Sequence, residues 1–98
     1  MNTKAKREHN PALYEAVLSL RTVDECLAFF EDLCTMTELN AMEQRFQVAR
    51  GLHDGKIYNE ILAETGASSA TISRVNRTLQ YGNGGYDLVF SRISGKTE

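Results

Sequence analysis

Tryptophan is absent from the 98 residues, proline occurs once, at Pro11, and cysteine twice, at Cys26 and Cys34. The near absence of proline removes the main breaker of helices. The cysteines fall eight residues apart on one expected helix, about 12 Å of rise, too far for a disulfide. No histidine or cysteine partner stands at metal-ligand spacing, so these read as free thiols of a cytosolic protein and no metal is expected. No apolar run approaches the roughly 20 residues of a membrane span, and no signal peptide is visible. A cytoplasmic protein without a membrane partner is expected. No Ser-His-Asp, Cys-His or paired-carboxylate arrangement is legible, and His9 and His53 stand alone at surface or helix-end positions. No catalytic residue is assigned, and an enzyme is not expected. A basic excess is missing too: the formal net charge is −2. That excludes a non-specific nucleic-acid coat but not a site-specific DNA binder, for which the placement of charge decides.

What is present is a helical chain. The length fits one domain, 1–98, and the apolar content of 42% is ordinary for a folded protein. A chain this short builds a modest core, and a helical one often completes it by dimerising. Residues 1–9, with the basic run "KAKREH", read as a flexible tail. Asn10 is a candidate N-cap with Pro11 at the first helical position, and Leu13, Ala16, Val17 and Leu20 follow at helical spacing. Thr22 and Glu25 form a capping box ahead of Val23, Cys26, Leu27, Phe29, Phe30 and Leu33. That face is rich enough to expect burial on more than one side, against a partner chain. Thr35 and Glu38 repeat the device before a long helix with Leu39, Met42, Phe46, Ala49 and Leu52 or His53 inward, stopped at Gly55. Residues 10–55 are therefore read as dimerisation helices.

The stretch "KIYNEILAETGASSATISRVNRTLQYG" carries the functional signal. A short helix with Ile57, Ile61 and Leu62 inward ends at Gly66, which accepts a left-handed turn without a Cβ penalty. Ala67 is small enough for a close helix contact. A second helix then places Ile72, Val75 and Leu79 on one face, to pack on Ile61 and Leu62. This is the layout of a helix-turn-helix over 57–80. "YGNGGY" follows as a stop and turn, lacking the Lys-Ser/Thr of a phosphate loop. Its tyrosines, Tyr81 and Tyr86, are expected to hold the end of the preceding helix, and 84–94 reads as a last helix. The count is six helices and no convincing strand: an all-α fold.

The outward face of the second helix shows Ser69, Ala70, Ser73, Arg74, Asn76 and Arg77. It lacks the Glu and Lys that usually fill a solvated face, which is what an ordinary helical hairpin would show. A recognition helix meets base edges mainly through its N-terminal residues. Serine and threonine accept or donate to several bases, and methyls meet the thymine methyl. Ser68 and the helix N-terminus suit phosphate, and Arg74 and Arg77 reach phosphate or guanine. Acids dominate the first third of the chain (Glu15, Asp24, Glu25, Glu31 and Asp32). From Thr65 on, Arg74, Arg77, Arg92 and Lys96 face only Asp87 and Glu98. The end with the motif is locally positive.

These features together (the Thr35-to-Glu38 start, Arg45 in the long helix, Gly55, "GASSATISR" and "YGNGGY") resemble the tryptophan repressor family over roughly Thr35 to Tyr86. The match is closer still to the stand-alone tryptophan-repressor-like proteins of Gram-positive bacteria. The resemblance implies an intertwined, all-helical homodimer whose two heads face successive major grooves of double-stranded DNA, about one helical turn apart. By carry-over, Ser69, Ala70 and Ser73 approach bases, while Tyr58, Asn59 and Thr71 lie near the backbone or groove edge. The family holds an indole ring between two arginines, matching Arg45 and Arg74, with positions matching Thr35 and Thr78 at the amino-acid head group. Guanidinium groups stack on aromatic faces and pair with carboxylates. The family's glycine after the second arginine is Val75 here, a branched side chain in the space of the ligand, so tryptophan is not expected. A different small-molecule co-repressor, or none, remains open, as do structural contacts of Arg45 and Arg74 with Glu38 or Glu43. The expected function is a sequence-specific transcriptional regulator acting as a repressor. The alternatives are a helical protein-interaction dimer without DNA binding, favoured by the acidic first third, and the targeting head of a transposase or recombinase, which the missing catalytic acids and second domain disfavour.

Overall fold

The computed structural model describes residues 7–95, which form six α-helices and no strand. The helices are α1 Pro11–Leu18, α2 Val23–Leu33, α3 Met36–His53, α4 Tyr58–Thr65, α5 Ser69–Tyr81 and α6 Gly85–Gly95. Two compact units divide between Thr35 and Met36, and each is described by itself. Most of the basic tail, residues 1–6, and Lys96 and Glu98 lie outside the described residues.

In the first unit, local hydrogen bonds set both helix starts. Asn10 accepts from the backbone N–H of Ala12 at 2.9 Å, with Pro11 in the first turn. The Thr22 hydroxyl accepts from Glu25 N–H at 3.0 Å, and the Glu25 carboxylate accepts from Arg21 N–H at 2.8 Å. The expected box is thus present but displaced by one residue on its return side. Leu20, expected on the α1 face, lies beyond the helix, which stops at Leu18. Neither α1 nor α2 contains a buried residue. Cys26 and Cys34 are free and half-buried. Phe29 and Phe30 meet edge to face at 5.5 Å, while Leu18 and Val23 are 84% and 82% exposed.

The second unit is built around α3, about 27 Å of helix at 1.5 Å per residue. It ends in a Schellman pair: Lys56 N–H reaches Gly51 C=O at 3.0 Å and Gly55 N–H reaches Leu52 C=O at 3.1 Å, satisfying carbonyls that have no partner within the helix. The core comprises Val48, Ala49, Ile61, Ala67, Ile72, Val75 and Phe90, with Phe46, Leu52, Leu62, Leu79 and Tyr86 packed against it. Burying Ile61, Ile72 and Val48 completely contributes roughly 1.5–3 kcal/mol each. Val48 and Gly51 are buried although the expected α3 stripe omits them. A Cβ on Gly51 would stand 3.0 Å from Ile61 Cγ1, so α4 packs directly on that side of α3. Helix α3 packs against both α4 and α5 and is covered on two sides, which a one-stripe reading cannot anticipate. Met42, expected inward, is 39% exposed.

Helix α6 is fastened by one aromatic. Phe90 is 4% exposed and contacts the rings of His53 at 4.6 Å, Phe46 at 5.5 Å and Tyr86 at 6.0 Å. His53, the last residue of α3, thus serves packing. Tyr86 joins the core, as expected of the "YGNGGY" flank, whereas Tyr81 is 67% exposed.

Candidate nucleic-acid interface

Helix α4 starts one residue later than the sequence suggests. Ile57 is its N-cap and is 62% exposed, not inward. A cap residue carries extended backbone (φ −79°, ψ 160°), which turns its side chain off the helical face. Glu60 returns a carboxylate oxygen to Ile57 N–H at 3.1 Å. The helix closes at Gly66 (φ 70°), whose N–H bonds Leu62 C=O at 2.9 Å. The left-handed residue turns the chain within three residues, and α5 begins at Ser69.

Thr65 organises that turn. Its hydroxyl donates to Ile61 C=O at 2.7 Å and accepts from Ala67 N–H at 3.1 Å. Its own carbonyl accepts from Nε2 of Gln44 on α3 at 3.1 Å. Ala67 is 2% exposed, so the turn tucks a methyl into the core. Ser68 caps α5, accepting from Thr71 N–H at 3.1 Å and donating to the Thr71 hydroxyl at 3.1 Å.

Capped in this way, α5 separates its faces. Ile72 and Val75 are buried and Leu79 half-buried, while Ser69, Ala70, Ser73, Arg74 and Arg77 are exposed. Asn76 and Thr71 are half-buried at the edges. On α4, Tyr58 and Asn59 are exposed in the first turn. The exposed face of α5 carries two guanidinium groups and no carboxylate. The acid of α4 nearest in sequence, Glu64, is engaged by Lys56 at 2.7 Å. That hydrogen bond, then the Glu64 charge, holds the Lys56 ammonium above its ordinary value. The arrangement gives short hydroxyl-bearing side chains at the helix start and cations one and two turns later. It suits close approach to base edges, with phosphates alongside.

The residues expected at an effector pocket are placed as follows. Arg45 and Arg74 are both exposed. The Thr78 hydroxyl donates to Arg74 C=O at 3.2 Å. Val75 is 3% exposed and belongs to the core with Ile72. Thr35 closes the first unit. A concavity of the second unit lies elsewhere. It is an open groove of about 630 Å³ between α3 and α4, lined by Asn40, Glu43, Gln44, Gln47, Arg50 and Thr65 among others. Gln44 and Thr65 were not singled out from sequence. Their bond spans 21 positions, and only the threonine just before Gly66 hints at it. Among the described residues no group of three His, Cys, Asp or Glu side chains is arranged to hold a metal, and no helix is long and apolar enough to cross a membrane.

Comparison with known proteins agrees with this geometry. The sequence model described as "Trp repressor protein" matches residues 8–94. A Bacillus subtilis (strain 168) relative, "Uncharacterized protein YerC", is 49% identical over 81 residues, 83% of this chain and 78% of that one. A Eubacterium eligens structure described as a TrpR-like protein superposes with a TM-score of 0.82 at 53% identity, covering 85% of this chain and 86% of that chain. A Staphylococcus aureus structure described as a candidate Trp repressor gives 0.81 at 46% identity, covering 85% and 83%.

Proposed function

Since the chain belongs to the Trp repressor family, a regulatory DNA-binding family and not an enzymatic one, we propose that it is a sequence-specific repressor that binds its operator as a homodimer. The observation that carries this reading is the division of α5: Ile72 and Val75 lock it to the core, and the opposite face exposes Ser69, Ala70, Ser73, Arg74 and Arg77 without an acid. Asn76, Thr71, Ser68, Tyr58 and Asn59 border that face. The dimer is supported by α1 and α2, whose apolar residues Leu13, Leu18, Val23, Leu27 and Leu33 are all at least 40% exposed. A second copy supplies the cover that a 98-residue chain lacks alone. Arg45 and Arg74, both exposed, are the groups open to a carboxylate-bearing small-molecule co-repressor.

The test is selection of fragmented genomic DNA by the purified protein at about physiological salt. The expected result is one enriched sequence with two-fold symmetry, bound about 4–10 kcal/mol more tightly than bulk DNA. The exposed apolar helices and net charge of −2 favour one competing reading, a dimer that binds protein. It is the outcome if no sequence is enriched with or without added amino acids.

A further inference from the structure

Resting on the reading of α5 as the DNA-reading helix, we propose that Gln44 is a positioning residue for sequence recognition: its side-chain amide latches the helix-turn-helix turn to α3. The end of α4 leaves backbone carbonyls without helical partners. Gly66 N–H takes that of Leu62, while the Thr65 hydroxyl adds a bond back to Ile61 C=O, one turn earlier. Thr65 C=O is met from another helix, by Gln44 Nε2 at 3.1 Å. Thr65 is thereby held through three hydrogen bonds at the point where the chain leaves α4 for α5.

That bond ties α3 to the end of α4; between α3 and α5 the core supplies apolar contacts through Val48, Ala49, Ile72 and Val75. Such contacts are non-directional and tolerate small slides. A hydrogen bond does not, since it weakens steeply outside a narrow range of distance and angle. Base-edge hydrogen bonds demand the same narrow geometry, whereas attraction to phosphate is long-ranged and forgiving. The latch therefore bears on discrimination between sequences, not on general affinity for DNA. It borders the open polar groove between α3 and α4, where water reaches Thr65 C=O when the amide is removed. Loss of the latch leaves a folded protein.

The experiment compares the full chain with Gln44→Met, which keeps the reach and removes the donor, and Gln44→Lys, which restores a donor. Affinity is measured for the selected operator and for a scrambled duplex, with backbone amide hydrogen exchange on the free proteins. The expected result is a fall of about threefold to tenfold in the operator-to-scrambled ratio for Gln44→Met, the effect of one net hydrogen bond. Gln44→Lys returns the ratio to near the parent value, and exchange in Gln44→Met quickens across 66–71 but not across 46–50. An unchanged ratio overturns the proposal. So does an equal loss on both duplexes with faster exchange throughout the unit, which marks a purely structural bond. If the parent prefers no sequence, the repressor reading falls and this role of Gln44 falls with it; exchange then reports only whether the amide holds the turn.

Discussion

Gly66 and Gly82 are both required, but for different physical reasons, and substitution separates them. Gly66 sits at φ 70° with open space where a Cβ would point. An alanine there meets only the torsional penalty of the left-handed region, about 1–2 kcal/mol. Gly82 has φ −84°, which any residue adopts, but its Cβ would lie 2.5 Å from the Thr78 carbonyl oxygen and 3.1 Å from Thr78 Cγ2. Relieving the first contact means moving backbone by roughly 0.9 Å, in the range of about 1–3 kcal/mol for overpacking. In a domain of this size each kcal/mol lowers Tm by about 4–8 °C. Either alanine variant therefore costs several degrees. Asparagine discriminates: it enters the left-handed region far more readily than alanine but is no smaller at Cβ. Calorimetry should find Gly66→Asn recovering at least half of the loss of Gly66→Ala, and Gly82→Asn recovering none of the loss of Gly82→Ala. Equal melting of Gly66→Asn and Gly66→Ala would refute the torsional account, and parental melting of Gly82→Ala would refute the steric one.

Ile72→Ala, at a fully buried core position, should destabilise by about 2–5 kcal/mol; a cost under 1 kcal/mol in a denaturant titration would mean that α5 is not anchored there. Arg74→Ala and Arg77→Ala should each weaken DNA binding. If either contacts phosphate, the slope of log K against log salt falls by about 0.9 in magnitude, and unchanged affinity in both variants removes α5 as the reading face. Leu27→Glu, in the middle of α2 where Leu27 is 48% exposed, should reduce the mass in sedimentation equilibrium from two chains to one chain of 11.0 kDa. Persistence of the dimer places its interface elsewhere.

The features legible in the sequence are those decided within a few residues. Asn10, Thr22 and Gly66 are assigned correctly because a cap or a left-handed stop is a local hydrogen-bonding problem. The split faces of α5 are equally plain, since two guanidinium groups and a run of hydroxyls leave only Ile72, Val75 and Leu79 to bury. What escaped depends on neighbours. Val48 and Gly51 are buried because α3 is covered on two sides, so no single stripe describes it. Ile57 looks like the first inward residue of α4 until its extended backbone makes it a cap. The exposure of Tyr81 follows from the helix ending there. Gln44 gives no signal at all, being one glutamine among the polar residues of α3, and gains its partner only when Thr65 C=O arrives 21 positions later.

The division of labour along α5 has an evolutionary consequence. Ser69, Ala70, Ser73, Arg74 and Arg77 are exposed and take no part in the core, so exchanges among them fall where substitutions usually shift stability by no more than about 0.5 kcal/mol. Target preference can then drift by single mutations through folded intermediates, one base-contacting side chain at a time. A lineage that duplicates this chain holds a scaffold whose reading head can be rewritten while Ile72, Val75 and the turn stay fixed.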